Sequence, residues 1–164
     1  MKIGISRYQK LFGVGPVNLL ISLSLLGLLW LLDRLLGHVE ILTRPGPIRA
    51  FGLILFGLWI CWHLWCIAAI RHWWQHDRLC TTGPYRFVRH PMYAGGVLFG
   101  ILGISLMFNS WIVLLGPVLT YAIFSLLVRK EEAMMTAVFG EDYRRYAART
   151  GRLFPRFFGR LPPA

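Results

Sequence analysis

Residues 93–128 read YAGGVLFGILGISLMF, then Asn109-Ser110, then WIVLLGPVLTYAIFSLLV, 36 residues in a row without one charged side chain. A helix of roughly 20 apolar residues crosses a bilayer core of about 30 Å. The stretch is too long for one crossing and suits two, folded back at Asn109-Ser110, a two-residue turn signal. This hairpin decides the fold class: all-α and integral to a membrane. Gly116-Pro117 predicts a kink in the second limb. Gly96, Gly100 and Gly103 predict a flat strip for close helix packing in the first limb, within the chain or across a dimer.

Two more apolar runs lie upstream. Val17 to Leu36 follows Gly15-Pro16, a helix-start signal. Ile48 to Ile70 is bounded by Pro45-Gly46-Pro47 and by Arg71-His72. About four transmembrane helices, near 17–36, 48–70, 93–108 and 111–128, thus make one membrane domain over residues 1–164. Lys2, Arg7 and Lys10 resemble the basic start of a signal peptide. The run behind them is too long, however, and Asp33-Arg34 replaces a small-residue cleavage site, so a retained anchor is expected. Composition agrees: 56% of the 164 residues are hydrophobic and 15% charged, against about 25% charged in soluble domains. Disordered chains, collagen and water-soluble Rossmann domains are excluded.

Lys and Arg number 18 against 7 Asp and Glu, a net charge of +11. Of the 18, 15 lie before the first span, between Arg71 and His90, or after Val128. The positive-inside rule makes that face cytoplasmic, with both termini on it, as in a prokaryotic inner membrane. No basic run forms a groove-sized patch, so the expected partner is membrane lipid and not nucleic acid. Cys61, Cys66 and Cys80 form an odd set without a C-x-x-C pair, which argues against a disulfide framework or zinc knuckle. Cys61 and Cys66 read as small buried hydrophobes.

Chemistry is then to be sought in the cytoplasmic segments 71–92 and 129–164. Gly83-Pro84 is a turn, and Pro91 suits the first position of a helix. A residue before proline avoids helical angles, which puts His90 at the cap. Arg89, His90 and free backbone N–H groups thereby meet at a positive helix end suited to a carboxylate or phosphate. Gly95 lets a ligand approach the backbone. The same residues also read as an interfacial anchor, with Arg and His reaching lipid phosphates and Tyr85 and Tyr93 in the aromatic belt.

Glu131-Glu132 places adjacent carboxylates at a membrane boundary, which is costly unless they are paired or used. Either Arg129 and Lys130 neutralise them, or one faces inward toward Arg89 or a cationic ligand. Tyr143, Tyr146, Ala147 and Thr150 recur with helical period and predict a cytoplasmic amphipathic C-terminal helix, ended by Gly151 and carrying a Glu141–Arg145 pair. His72 and His76 are four apart and could jointly bind a metal or haem, which leaves a non-enzymatic haem- or lipid-binding membrane protein as the alternative reading, but no third ligand is spaced to help, so no metal site is expected. His63, inside the second span, is expected to hydrogen-bond a neighbouring helix.

Gly83-Pro84-Tyr85 followed by Arg89-His90-Pro91-Met92-Tyr93-Ala94-Gly95 resembles the G-x-Y-x-x-x-R-H-P-x-Y-x-G signature of the isoprenylcysteine carboxyl methyltransferases and the related phospholipid N-methyltransferases. Glu131-Glu132 resembles the paired-Glu element of that superfamily, and Phe139-Gly140-x-x-Tyr143-x-x-Tyr146 the F-G-x-x-Y-x-x-Y that follows it. The three motifs run in order from about Leu79 to Pro155, half of the chain. The resemblance implies an S-adenosylmethionine-dependent methyltransferase acting on a lipophilic acceptor, with its pocket between the last two helices and the tail. It implies that Tyr85, His90, Pro91, Tyr93, Gly95 and Glu132 line the cofactor site. Arg89, His90 and Glu131 would be the catalytic set, orienting cofactor or acceptor. A carboxylate acceptor would need an Arg partner, from Arg89, Arg149 or Arg152; an amine would need a base such as His90 or a Glu, and a thiol would need ionisation.

Overall fold

The computed structural model describes residues 15–74 and 78–156. Among the described residues five helices carry the fold: α1 (Gly15–Leu35), α2 (Gly46–Trp74), α3 (Pro91–Met107), α4 (Gly116–Phe139) and α5 (Glu141–Arg149). Short 3-10 turns cover Gly83–Arg86 and Val113–Leu115. Among the described residues there is no extended strand, only two isolated bridges, Glu40 with Ser110 and Val88 with Gly151. The all-α class is as expected. Three helices among the described residues are long and apolar enough to cross a membrane, and α3 is a shorter apolar helix. Leucines and aromatics such as Leu20, Leu28, Phe51, Ile54 and Leu64 stay exposed along α1 and α2, a surface suited to hydrocarbon and costly in water. The chain is an integral membrane protein. Lys2, Arg7, Lys10, His76 and the His72 side chain lie outside what the structure describes.

α2 packs along α3, α3 against α4, and α4 against α1. The α2–α3 seam is set by glycines: a Cβ on Gly52 would stand 2.6 Å from the Gly103 carbonyl oxygen, and one on Gly103 would stand 2.7 Å from that of Gly52. Gly100 backs onto Trp59, and Gly95 onto Trp62. The expected strip of Gly96, Gly100 and Gly103 is therefore corrected to Gly95, Gly100 and Gly103, since Gly96 faces open space. The reason is a π-helical turn over Gly96–Ile101. A π turn holds one residue more than an α turn, so residues five apart share a face.

The turn is more elaborate than a two-residue reversal. Asn109 takes a left-handed backbone (φ 52) and is buried. Its side chain accepts from Leu42 N at 3.0 Å and donates to Leu42 O at 2.8 Å, stitching the 36–45 loop onto the hairpin. Beside it, the buried Asp33 carboxylate accepts from Ser110 Oγ at 2.6 Å and from Val39 N at 3.2 Å, and meets His38 Nδ1 at 2.6 Å. Asn109→Ala should leave Leu42 unpaired and the turn strained, destabilising by about 2 kcal/mol. Thermal unfolding in detergent should show a fall of several degrees; no shift would mean the loop is not held here.

Three further expectations change. Pro117 lies not within a continuous helix but in the first turn of α4, which begins at Gly116 just after the 3-10 turn Val113–Leu115, where no backbone donor is missed. The helix that carries the fourth span does not end near Val128: α4 runs on through Glu131 and Glu132 to Phe139, and Gly140 (φ 54) breaks it. Cys66 is buried as expected, but Cys61 is exposed.

Candidate functional site

The site forms where the start of α3, the end of α4 and the tail after α5 converge. His90 caps α3 with non-helical angles (φ −123, ψ 64), and Pro91 opens the helix, as its fixed φ favours. Trp62 Nε1 donates to Pro91 O at 2.8 Å and so fixes this end to α2. The segment just before it is held from the other side. Arg89 N donates to Gly151 O at 2.8 Å and His90 N to Arg152 O at 3.1 Å, so the tail lies alongside the motif as a short strap.

Glu132 is the hub. Its Oε1 accepts from Arg89 Nε and Nη2, both at 2.8 Å. Its Oε2 accepts from Arg152 Nε at 3.0 Å and Nη2 at 2.6 Å. Each guanidinium thus presents two donors to one oxygen, a charge-assisted arrangement stronger than neutral hydrogen bonds. Arg89 Nη1 turns the other way, donating to Ala147 O at 2.8 Å and to Thr150 O, and so caps the carbonyl end of α5. Of the two alternatives for the paired glutamates, the inward one is found. Glu132 meets Arg89, together with Arg152 from the tail.

Glu131, next along α4, accepts from the Tyr93 hydroxyl at 2.9 Å. Tyr93 stacks on His90 with ring centroids 5.7 Å apart and planes 11° from parallel, and its ring also meets Phe124, with centroids 5.3 Å apart. His90 Nε2 is buried 3.5 Å from Glu132 Oε1 without a hydrogen-bond partner. The Tyr143 hydroxyl is likewise buried and unsatisfied. Burial, then the nearby Glu132 charge, pushes the Tyr143 phenol well above its ordinary pKa, so it stays neutral. Hydrogen bonding to Glu132 holds Arg152 firmly charged.

Arg89, His90, Pro91, Tyr93, Glu131 and Glu132 are therefore brought together. Tyr85 stands one layer behind: it is buried in the cluster of Cys66 and Cys80, and its carbonyl accepts from the Tyr146 hydroxyl at 2.6 Å. Gly95 is turned to Trp62. The amphipathic stripe holds, with Tyr143 and Thr150 buried and Tyr146 half-buried. The expected Glu141–Arg145 pair gives way to i, i+3 pairs, Arg144–Glu141 at 3.4 Å and Arg145–Asp142 at 2.7 Å. His63 Nδ1 is buried without a hydrogen-bond partner, and its ring lies 5.6 Å from that of Trp59. Arg152 as a partner of Glu132 escaped the sequence reading, since among eight basic residues after Val128 nothing marks it.

Residues 48–142 match the phospholipid methyltransferase family. The chain belongs to that family. Among curated relatives of this methyltransferase family member, the cobalt-zinc-cadmium resistance protein CzcN of Cupriavidus metallidurans is 34% identical over 106 residues, 64% of this chain and 48% of that protein. The nickel-cobalt-cadmium resistance protein NccN of Alcaligenes xylosoxydans xylosoxydans is 34% identical over 96 residues, 57% of this chain and 43% of that protein. The protein-S-isoprenylcysteine O-methyltransferase of Schizosaccharomyces pombe is 33% identical over 69 residues, 42% of this chain and 29% of that protein. The matches thus span half or less of each relative's own length. No solved structure matches the chain.

Proposed function

We propose that this membrane methyltransferase family member uses S-adenosylmethionine to methylate a lipophilic acceptor at the cytoplasmic face, most like isoprenylcysteine-type carboxyl methylation. The observation that carries the reading is the convergence of Arg89, His90, Tyr93, Glu131 and Glu132 around two buried polar atoms without partners, His90 Nε2 and Tyr143 Oη. Buried polar atoms are normally satisfied, so such orphans at a charged cluster mark a place for a polar ligand.

The residues fit the cofactor's chemistry. Glu131 and Glu132 suit its cationic groups, Arg89 its carboxylate, and the Tyr93 ring its sulfonium by cation–π attraction. S-adenosylmethionine, when bound, supplies a methyl group activated by a positively charged sulfur. The chain's part is to bind, orient and keep the site dry, with α5 and the strap excluding water. A carboxylate acceptor requires no base, only a cation such as Arg89 or Arg152 to hold it. An apolar groove of about 250 Å³ along Leu58, Cys61, Trp62, Trp65 and Phe99 includes the tryptophan that holds Pro91 and supports a lipophilic acceptor. The likeness to the S. pombe protein supports the carboxylate reading. The matched family's description favours a second, a phospholipid amine, for which His90 Nε2 is a candidate base. We further propose a single membrane domain in a prokaryotic inner membrane with both termini cytoplasmic, and membrane lipid as its surroundings.

Calorimetric titration with S-adenosylhomocysteine, in wild type and Glu131→Gln, tests the reading. Micromolar binding weakened about tenfold by the substitution is expected, the equivalent of one charge-assisted contact. Labelled methyl transfer to a prenylcysteine analogue or to phosphatidylethanolamine vesicles then separates the two acceptors. No binding by folded wild type in nanodiscs would overturn the cofactor assignment.

A further inference from the structure

We infer that Arg152 is an internal stand-in for the ligand's cation. Its guanidinium occupies Oε2 of Glu132 and yields that oxygen to an incoming ammonium, while Arg89 stays in place. This rests on the proposed cofactor reading and adds to it a residue that tunes access to the site.

The two arginines of the Glu132 hub are not equivalent. Arg89 is 11% exposed, and its third nitrogen is committed to the carbonyl end of α5. Arg152 is 38% exposed, and its two hydrogen bonds to a side chain both go to Glu132 Oε2. Moving Arg89 would strip a buried pair and uncap a helix. Moving Arg152 returns a charged group to water over a short path, and pairs of that exposure are weak. The backbone supports the same division. The strap is fixed to the motif by Arg89 N to Gly151 O and His90 N to Arg152 O, so the Arg152 side chain can swing out without its segment detaching.

The cluster is also balanced in charge but incomplete in hydrogen bonds. Glu132 has a cation on each oxygen, whereas His90 Nε2, 3.5 Å from Oε1, and the Tyr143 hydroxyl make no hydrogen bond. A ligand bringing an ammonium together with polar atoms would exchange one cation for another at Oε2 and supply those missing partners. The net charge at the hub is conserved in that exchange. A ligand without a cation gains nothing from displacing Arg152.

The test compares S-adenosylhomocysteine affinity in wild type, Arg152→Gln and Arg152→Lys, each checked for monodispersity and thermal unfolding. With the internal competitor gone, Arg152→Gln should bind about fivefold tighter, as expected for releasing a half-exposed ion pair, while Arg152→Lys stays near wild type. The ligand lacking its α-amino group should show no gain in Arg152→Gln. Weaker binding by a folded Arg152→Gln would overturn the inference by making Arg152 a holding residue. Equal tightening for the deaminated ligand would overturn it too. Absence of binding in wild type would instead strike the cofactor reading beneath it. If Arg152→Gln fails to fold, Arg152→Lys with the deaminated ligand decides: discrimination between the two ligands lost relative to wild type counts against the exchange, and discrimination retained supports it.

Discussion

Arg89→Met is expected to abolish S-adenosylhomocysteine binding in the micromolar range and to lower the unfolding temperature by roughly 10 °C. Methionine keeps much of the apolar stem and removes every donor. Glu132 then loses the better buried of its two cations, and breaking a buried pair from one side costs about 3–5 kcal/mol. The lower end applies, because Arg152 still serves Oε2. Ala147 O and Thr150 O lose their cap as well, so α5 loosens over the site. Thermal unfolding and amide exchange over residues 141–149 would register both losses. The double variant Arg89→Met with Glu132→Leu should recover part of the stability, since the charge it leaves without its partner, Arg152, is 38% exposed and can turn to water, but none of the binding. An unchanged unfolding temperature in Arg89→Met would show that the hub does not hold the tail to the bundle.

Gly103→Val is expected to cost 3 kcal/mol or more, on the order of the largest overpacking penalties. Its Cβ would meet the Gly52 carbonyl oxygen at 2.7 Å and the Phe56 nitrogen at 3.0 Å. Both are backbone atoms, which cannot rotate aside, so α2 and α3 must part. Trp62 rides on α2 and holds Pro91, which carries the damage to the site 12 residues away in sequence. The matched control is Gly96→Ala, where nothing lies within 4 Å. It should be neutral or slightly stabilising, as expected for replacing glycine within a helix. Unfolding temperatures in one detergent compare the two. Equal losses in both would return the seam to the regular α-helical register.

Much of this was legible in the residues themselves. Hydropathy alone marks α1 and α2 to within a few positions, because lipid-facing helices need little beyond apolar side chains of sufficient length. Gly83 to Gly95 and Glu131-Glu132 announce the site through motif order, and their meeting at Arg89–Glu132 follows from the antiparallel hairpin. What escaped depends on non-local geometry. A helical period assumes 3.6 residues per turn, so the π turn at Gly96–Ile101 shifted the glycine seam by one position. Val128 marks only where the apolar residues of α4 end, since a helix can leave hydrocarbon without ending. Arg152 finds Glu132 from 20 residues along the chain, and Asp33 finds Ser110 from 77. Such pairings leave no periodic trace.

A regular helix has a single pitch, so the orientation of one end dictates that of the other. The widened turn at Gly96–Ile101 acts as a phase shifter between the two halves of α3, worth about 100° for its one surplus residue. The half beyond it can point its bare backbone at Gly52 while the half before it presents Tyr93 to Glu131, and neither azimuth constrains the other. Removing one residue from that turn would restore an ideal helix, yet it would swing the tyrosine away from its carboxylate by more than a quarter of a circle. The irregular segment is thus the coupling that lets one short helix meet a packing partner on α2 and a chemical one on α4.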